Sequence, residues 1–510
     1  MPILEDSLNG IFDALKEGAL TLQQGGGIGY DFSSLRPRGL PAKHTGVTAS
    51  GPISFMRIWN AMCSTMESTG ARRGAMMGIL RCDHPDIEEF ITAKADPHEL
   101  RHFNISILIS DNFIRAVKEN SEWELIFPTD EDTTNTVLRH WSGSAEPIPC
   151  RVIKSINARE LWEKIIKSAY DYAEPGVLFE DTINRQNNLW YREWISATNP
   201  CGEIPLPAYG ACNLGAINLT QFIRNPFTEK AEIDWKQIES TAHTATRFLD
   251  NVIDISRYPL NTQRQEIYQT RRIGLGITGL ADSFIMMGIK YGSKDSLALT
   301  NKIMKLLSET TWNTSIELAQ ERGVFSSFQS RKYLQGNFVQ QLPKEIIDAI
   351  EKNGIRNSHH NTIAPTGTIS LLANNVSNGI EPVFSAEYER TVRDANGEFS
   401  KWRVTDFALR EWKKLQSSEP LPPAWIETHH LTPDDHLNIQ AAAQPYIDNA
   451  ISKTINIPVD FPFENLKDVY SKAYELGLKG CTVFRPNTVT GSILTAFDPN
   501  EIIDRCCQTE

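Results

Sequence analysis

Asn199-Pro200-Cys201-Gly202-Glu203, with Cys212 a short way beyond, is the stretch on which the reading of this chain turns. It sets an amide, a thiol and a carboxylate at alternate positions. Pro200 and Gly202 separate them, which predicts a tight turn or loop rather than a helix. In extended backbone, residues two apart point the same way. Asn199, Cys201 and Glu203 are therefore expected to converge on one small substrate. A sulfur beside a hydrogen-bond donor and a general base suits radical or nucleophilic chemistry at a hydroxylated carbon. The same thiols have plainer readings: small buried apolar residues, a structural disulfide between Cys201 and Cys212, or two zinc ligands. No second Cys or His pair stands at zinc-finger spacing, which disfavours the last.

The surrounding chain has 510 residues, of which 40% are apolar and 22% charged. These are ordinary globular proportions, and large α/β units of this length occur as one domain. A net charge of −12 argues against a nucleic-acid surface, although a local basic pocket can still hold phosphates. The start, Met1-Pro-Ile-Leu-Glu-Asp-Ser7, lacks the basic and apolar segments of a signal peptide. There is no apolar run of membrane-spanning length. Eight scattered cysteines fit a reducing cytoplasm.

Strands and helices alternate along the chain. Asn104 to Ser110 carries apolar residues at 105, 107 and 109, a strand pattern, and Trp123 to Phe127 reads as a second strand. Asn157 and Glu160 stand as a capping box ahead of a helical stripe of Leu161, Ile165, Ala169 and Tyr172, stopped by Pro175-Gly176. Thr129 to Ser144 is polar and is expected to be a surface loop. Such alternation favours an α/β fold with a mostly parallel sheet and covering helices. No internal repeat or low-complexity linker divides the chain.

Beyond the Asn199–Glu203 loop, a series of motifs runs in order along nearly the whole length. They are Gly25-Gly-Gly-Ile-Gly-Tyr-Asp-Phe32, Ala49-Ser-Gly-Pro-Ile-Ser-Phe-Met56, Arg72-Arg-Gly-Ala-Met-Met-Gly78 and Cys82-Asp-His-Pro-Asp-Ile-Glu-Glu-Phe90. Later come Arg272-Ile-Gly-Leu-Gly-Ile-Thr-Gly-Leu-Ala-Asp282, Ala364-Pro-Thr-Gly-Thr-Ile-Ser370, Asn378-Gly-Ile-Glu-Pro382 and Ser452-Lys-Thr-Ile-Asn456. In this combination the chain resembles the catalytic subunit of ribonucleotide reductase, most closely the adenosylcobalamin-dependent class II type. The resemblance implies a ten-stranded α/β barrel over 1–490, with the Cys201 loop as a finger inside it and 491–510 as a tail.

It also implies roles. Cys201 becomes a thiyl radical that removes the ribose 3′-hydrogen, Glu203 accepts the 3′-hydroxyl proton, and Asn199 hydrogen-bonds the ribose hydroxyls. Cys212 is one of two thiols supplying reducing equivalents. Ala364, Pro365, Thr366, Gly367, Thr368 and Ser370, with Ser50, form the substrate site. Backbone N–H groups in such a Gly/Ser/Thr turn bind anions without a lysine. Asp6, Ser7, Arg36 and Lys43, with the Arg72-Arg73 loop, resemble the site where a deoxynucleoside triphosphate effector sets substrate choice. Carboxylate suits a sugar hydroxyl, and Arg and Lys suit phosphates. The implied partners are a ribonucleotide substrate (a ribonucleoside diphosphate), a thioredoxin-like thiol reductant, and a complementary chain or second copy.

Gly274-Leu-Gly-Ile-Thr-Gly279 has the spacing of a dinucleotide-binding loop, but it follows Gln-Thr-Arg-Arg rather than a clear apolar strand and is read as packing glycine. Lys479-Gly-Cys-Thr-Val-Phe-Arg-Pro-Asn487 lacks the Tyr-Tyr pair that relays a radical in the iron-dependent class, so a local radical source, adenosylcobalamin, is implied. The Asp-x-His-x-x-Gly cobalamin signature is absent, and this family binds the cofactor without it. A glycyl-radical motif is not found either. The family's other redox Cys would fall at or before Met1, so the chain reads as a truncated or split piece, with adjacent Cys506-Cys507 a remnant of a reducing tail. An iron-dependent large subunit and a nucleotide-binding pseudoenzyme are the alternative readings.

Overall fold

The computed structural model describes residues 4–41, 48–66, 74–130, 135–142, 144, 146–393, 399–415, 420–487 and 494–496. The strands that build the site are β1 (Ile28–Asp31), β2 (Met76–Arg81), β3 (Phe103–Ile109), β4 (Gly176–Phe179), β5 (Ala197–Thr198), β6 (Pro205–Leu206), β7 (Asn213–Asn218), β8 (Ile273–Thr278), β9 (Thr454–Asn456) and β10 (Gly480–Phe484). The helices covering them include α1 (Leu8–Gln23), α2 (Pro52–Met66), α3 (Ala158–Tyr172), α4 (Trp235–Ile255), α5 (Leu280–Met286), α6 (Lys294–Arg322), α7 (Gly367–Leu372), α8 (Pro433–Ala443) and α9 (Phe463–Glu475). The expected α/β class is observed.

One sheet runs in the order β1-β2-β3-β4-β10-β9. Its pairs are parallel except β4 with β10, which join antiparallel at Leu178↔Gly480 and Val177↔Cys481. A second, parallel pair is β7 with β8. The two are bridged through 359–363: Leu275 N donates to His360 O at 2.8 Å, and Ser452 N donates to Ile363 O at 2.8 Å. The hydrogen-bonded run therefore passes from β1 through β2, β3, β4, β10, β9, the 361–363 segment and β8 to β7. Among the described residues no strand pairs with the outer edge of β1 or β7, so no closed ten-stranded ring is seen.

Strand alternation explains what each face buries. Met76, Leu80, Ile105, Ile107 and Val177 pack outward into a core shared with α1, α2, α3 and α9. Met77, Ile79, Leu108 and Leu178 point the other way and pack on Ile195, Ala197, Ile204 and Leu206 around the β5–β6 hairpin. Both faces are apolar, which is why these strands read as continuous hydrophobic runs. The β7–β8 half has its own core with α4, α5, α6 and α8.

The strand expected from Asn104 to Ser110 is β3, and a strand over Glu122–Pro128 matches the one read at Trp123. The helix expected after Asn157 is α3, and Asn157 Oδ1 accepts from Glu160 N at 3.1 Å. One expectation fails. Within 129–144, Thr136–Arg139 forms a strand paired antiparallel with Ile148–Asn157. Its polar flanks masked a short strand on the sheet edge, and Trp141 beside it is buried. Leu494–Ala496, in the expected tail, pairs with Glu387–Arg393. Among the described residues no helix is long and apolar enough to cross a membrane.

Candidate active site

Asn199–Glu203 is the tip of the β5–β6 hairpin. Gly202 N donates to Asn199 O at 3.1 Å, closing a turn with Pro200 and Cys201 at its centre. Pro200 presets the backbone for the second position of a turn. Gly202, at φ +85°, takes a left-handed conformation that other residues resist. Asn199 braces the turn: its Oδ1 accepts from Ile204 N at 2.9 Å and from Thr198 Oγ1 at 3.2 Å. The alternation expected of an extended loop does not hold here. Cys201 is exposed at the apex while Glu203 is buried. Glu203 is fixed through its backbone: its carbonyl accepts from Ala450 N at 2.9 Å and Thr362 Oγ1 at 2.9 Å. Neither Cys201 nor Cys212 is in a disulfide.

Cys201 opens into a cleft of about 590 Å³. Its walls come from the starts of β3 and β4, from β10, and from the residues leading into β9. Lys94, Asp96, Glu99 and Arg101 lie toward one side, and Pro365, Lys453 and Cys481 are also part of the lining. Sequence reasoning missed Lys453 and Cys481 as site residues, although both stand in quoted motifs. Lys453 is fully buried, and its Nζ donates to Glu381 Oε2 at 2.5 Å and approaches His436 Nδ1 at 2.7 Å. Burial pushes the lysine below its ordinary range and drives His436 down to about 2, so the imidazole is neutral and accepts.

The 364–370 loop follows the 361–363 segment and opens α7. Thr366 sits at φ 55° and is pinned: its Oγ1 meets Thr278 Oγ1 at 2.9 Å and accepts from Gly379 N at 2.8 Å. Ser370 Oγ donates to Asn378 Oδ1 at 2.5 Å. Glu381 Oε1 in turn accepts from Thr454 N at 2.8 Å. The Asn378–Pro382 motif thus ties this loop to β9. Gly274 and Gly276 lie inside β8, not in a loop after it. A Cβ on Gly276 would come within 2.1 Å of Thr362 O, and one on Gly274 within 2.6 Å of Leu214. They are packing glycines, as the sequence indicated.

Cys212 stands at the head of β7, half-buried, and burial pushes its thiol well up while Arg272 opposes the rise. Ser50 is exposed just ahead of α2 and does not line the Cys201 cleft. Asp6 and Arg36 are brought together, Nε to Oδ2 at 2.8 Å, and Ser7 caps α1 by accepting from Gly10 N at 3.0 Å. Lys43, Arg72, Arg73, Cys506 and Cys507 lie outside the described residues.

A hairpin packed on the inner faces of β2, β3 and β4 thus carries a thiol at its tip. The chain belongs to the ribonucleotide reductase family, whose barrel domain matches residues 1–484. A vitamin B12-dependent ribonucleoside-diphosphate reductase from Mycobacterium tuberculosis (strain CDC 1551 / Oshkosh) is 35% identical, covering 98% of this chain and 69% of that one. The enzyme of the same name from Thermoplasma acidophilum is 35% identical over 96% of this chain and 61% of its own length. A ribonucleoside-diphosphate reductase subunit alpha from Chlamydia pneumoniae is 25% identical, covering 98% of this chain and 52% of that one.

Proposed function

We propose that this chain is the catalytic barrel of an adenosylcobalamin-dependent ribonucleoside-diphosphate reductase, converting ribonucleotides to deoxyribonucleotides in the cytoplasm for DNA synthesis. The observation that carries the reading is Cys201 at the apex of an enclosed hairpin, open to one cleft, in a chain of this family. The run of strands is read as part of the family's ten-stranded barrel. Residues 1–490 form that unit, with 491–510 as its tail.

Cys201 removes the ribose 3′-hydrogen, and sulfur holds the unpaired electron. Glu203, held by its own backbone, takes the 3′-hydroxyl proton, and Asn199 orients the ribose hydroxyls. Proton transfer of this kind is worth about 10²–10⁴ in rate. Cys212 supplies reducing equivalents to the 2′-carbon, and a thioredoxin-like dithiol restores them. The phosphates rest on Ala364, Pro365, Thr366, Gly367, Thr368 and Ser370, with Ser50 contributing. Asp6, Ser7, Arg36, Lys43, Arg72 and Arg73 take the deoxynucleoside triphosphate effector. At about 590 Å³ the cleft takes only part of so large a cofactor, the part that would stand beside Cys201. Lys94, Asp96 and Arg101 would hold it there. Adenosylcobalamin, when bound, supplies the one-electron oxidant for the Cys201 sulfur.

The iron-dependent reading is weaker, because Lys479–Asn487 has no Tyr pair and the relative named subunit alpha is the more distant. The test incubates the chain with cytidine or guanosine diphosphate, an effector and a dithiol, and measures deoxynucleotide by chromatography. Product that requires adenosylcobalamin supports the proposal. Product that requires an added iron protein and ignores cobalamin overturns it.

A further inference from the structure

Asp282 and Asp406 are interior carboxyls, the first 0% exposed and the second 4%. Asp282 stands in the first turn of α5, just beyond the glycine-bearing strand β8. Asp406 precedes the helix Phe407–Leu415, and its Oδ1 accepts from Leu409 N at 3.2 Å. The two side chains hydrogen-bond one another, and both face the same amide: Ala408 N donates to Asp282 Oδ1 at 3.2 Å and is within reach of the Asp406 carboxyl as well. An ionised carboxylate has no hydrogen to give, so a bond between two carboxyls requires a proton on one of them. The groups acting most strongly on the pair are each other and Ser377, Ala408 and Leu409, with no cation among them. Two buried like charges with no counter-ion cannot both persist. The pair is also wired to the 364–370 loop. Asp282 Oδ2 accepts from Ser377 N at 2.6 Å, and Asp282 N donates to Ser377 Oγ at 3.2 Å. Ser377 O accepts from Thr278 Oγ1 at 3.0 Å, and that hydroxyl meets Thr366 Oγ1 at 2.9 Å.

We propose that Asp282 and Asp406 share one proton and act as positioning residues, a clasp that holds the 375–379 segment and the helix Phe407–Leu415 together behind the 364–370 loop. Few ionisable groups face the pair from the surrounding elements. Tyr388, on the strand Glu387–Arg393, stands near Asp406; its hydroxyl donates to Asn375 Oδ1 at 2.8 Å, Arg390 bonds to it, and burial keeps it protonated. Arg410 and Lys413 of the helix turn outward, to Asn374 O and Glu387 Oε1. The turn Leu219–Phe222, packed on α5, carries no charged side chain. That the clasp serves phosphate binding rests on the reductase reading, but the shared proton does not.

The test needs neither substrate nor cofactor, so it stands apart from the fate of the reductase reading. Asp406→Asn keeps an acceptor for Leu409 N and gives Asp282 a permanent N–H donor. Infrared spectra at neutral pH should show the C=O band of one protonated carboxyl in the parent that this variant lacks. The unfolded chain releases both protons at about pH 4, whereas the folded pair keeps one. The parent's folding equilibrium therefore weakens against the variant's as pH rises, by about tenfold per pH unit while that proton is held. The urea midpoint of Asp406→Asn is expected to gain steadily on the parent's from pH 6 upward. Asp406→Ala breaks the clasp, so hydrogen exchange at 375–379 should accelerate about tenfold or more in it, while Asp406→Asn keeps the parental rates there. An unchanged infrared band overturns the shared proton, as does a midpoint difference that stays constant with pH. Parental exchange at 375–379 in Asp406→Ala overturns the positioning role. So does lost protection there in Asp406→Asn, which decides the matter alone if the alanine variant fails to fold.

Discussion

At the scale of single residues, the hairpin apex is the clearest case. Cys201→Ser keeps the turn, because Pro200, Gly202 and the Asn199 bonds build it. An O–H bond is too strong to yield the radical, so deoxynucleotide formation should be abolished while nucleotide binding stays within twofold. Substantial turnover by the variant would remove Cys201 from its role. His84 offers a second test. Its Nδ1 accepts from Asp86 N at 3.0 Å and its Nε2 meets Leu35 O at 3.0 Å, which fixes one neutral tautomer. Burial lowers it from 6.5 to about 4. The unfolded chain therefore takes up the proton first, and stability is lost as pH falls from 6.5 toward 4, by roughly 3 kcal/mol. The urea midpoint of His84→Gln should lack that part of the slope, and curves that stay parallel would refute it. The loop at Asn199–Glu203 was legible in the sequence, but not the arrangement of its side chains. Alternation belongs to extended backbone, and the Pro–Gly spacing that marked the loop is also what folds it into a turn that splits an exposed thiol from a buried carboxylate.

At the scale of elements, β8 shows a rule of packing that overrides a motif. Thr362 O lies where a Cβ on Gly276 would go, and Thr362 Oγ1 donates to Glu203 O at 2.9 Å. Gly276→Ala must push the 361–363 segment away, costing about 1–3 kcal/mol of stability by overpacking. It should also move Glu203, so the rate should fall further than the urea midpoint alone explains. An alanine variant with parental rate and midpoint would show that the segment yields freely. β3 and α3 could be read from the sequence because their periodicities are long and α3 has a polar cap. Thr136–Arg139 could not, since four residues carry too little pattern. The pairing of β4 with β10 joins positions some three hundred residues apart, and no local signal announces it.

At the scale of the whole molecule, that pairing is where the two halves meet. It rests on Val177, Leu178, Gly480 and Cys481, with Phe179 N donating to Lys479 O at 3.0 Å. The backbones approach closely enough that a Cβ on Gly480 would lie 3.0 Å from Val177 O. Gly480→Val is expected to open this seam first, so hydrogen exchange should accelerate at 176–179 and 480–484 while β2 and β8 keep their protection. Uniform loss of protection would mean that the seam is no weaker than the rest. The finger has a different bearing on the whole. Because Ile195, Ala197, Ile204 and Leu206 fill the inner side of β2, β3 and β4, the Cys201 sulfur is mounted on the molecule's own ballast. A finger that slipped would leave a dry wall facing water. Slipping of the finger and loss of that part of the core are therefore expected together, so in the parent chain activity and the burial of Ile195, Ala197, Ile204 and Leu206 should be lost at one temperature.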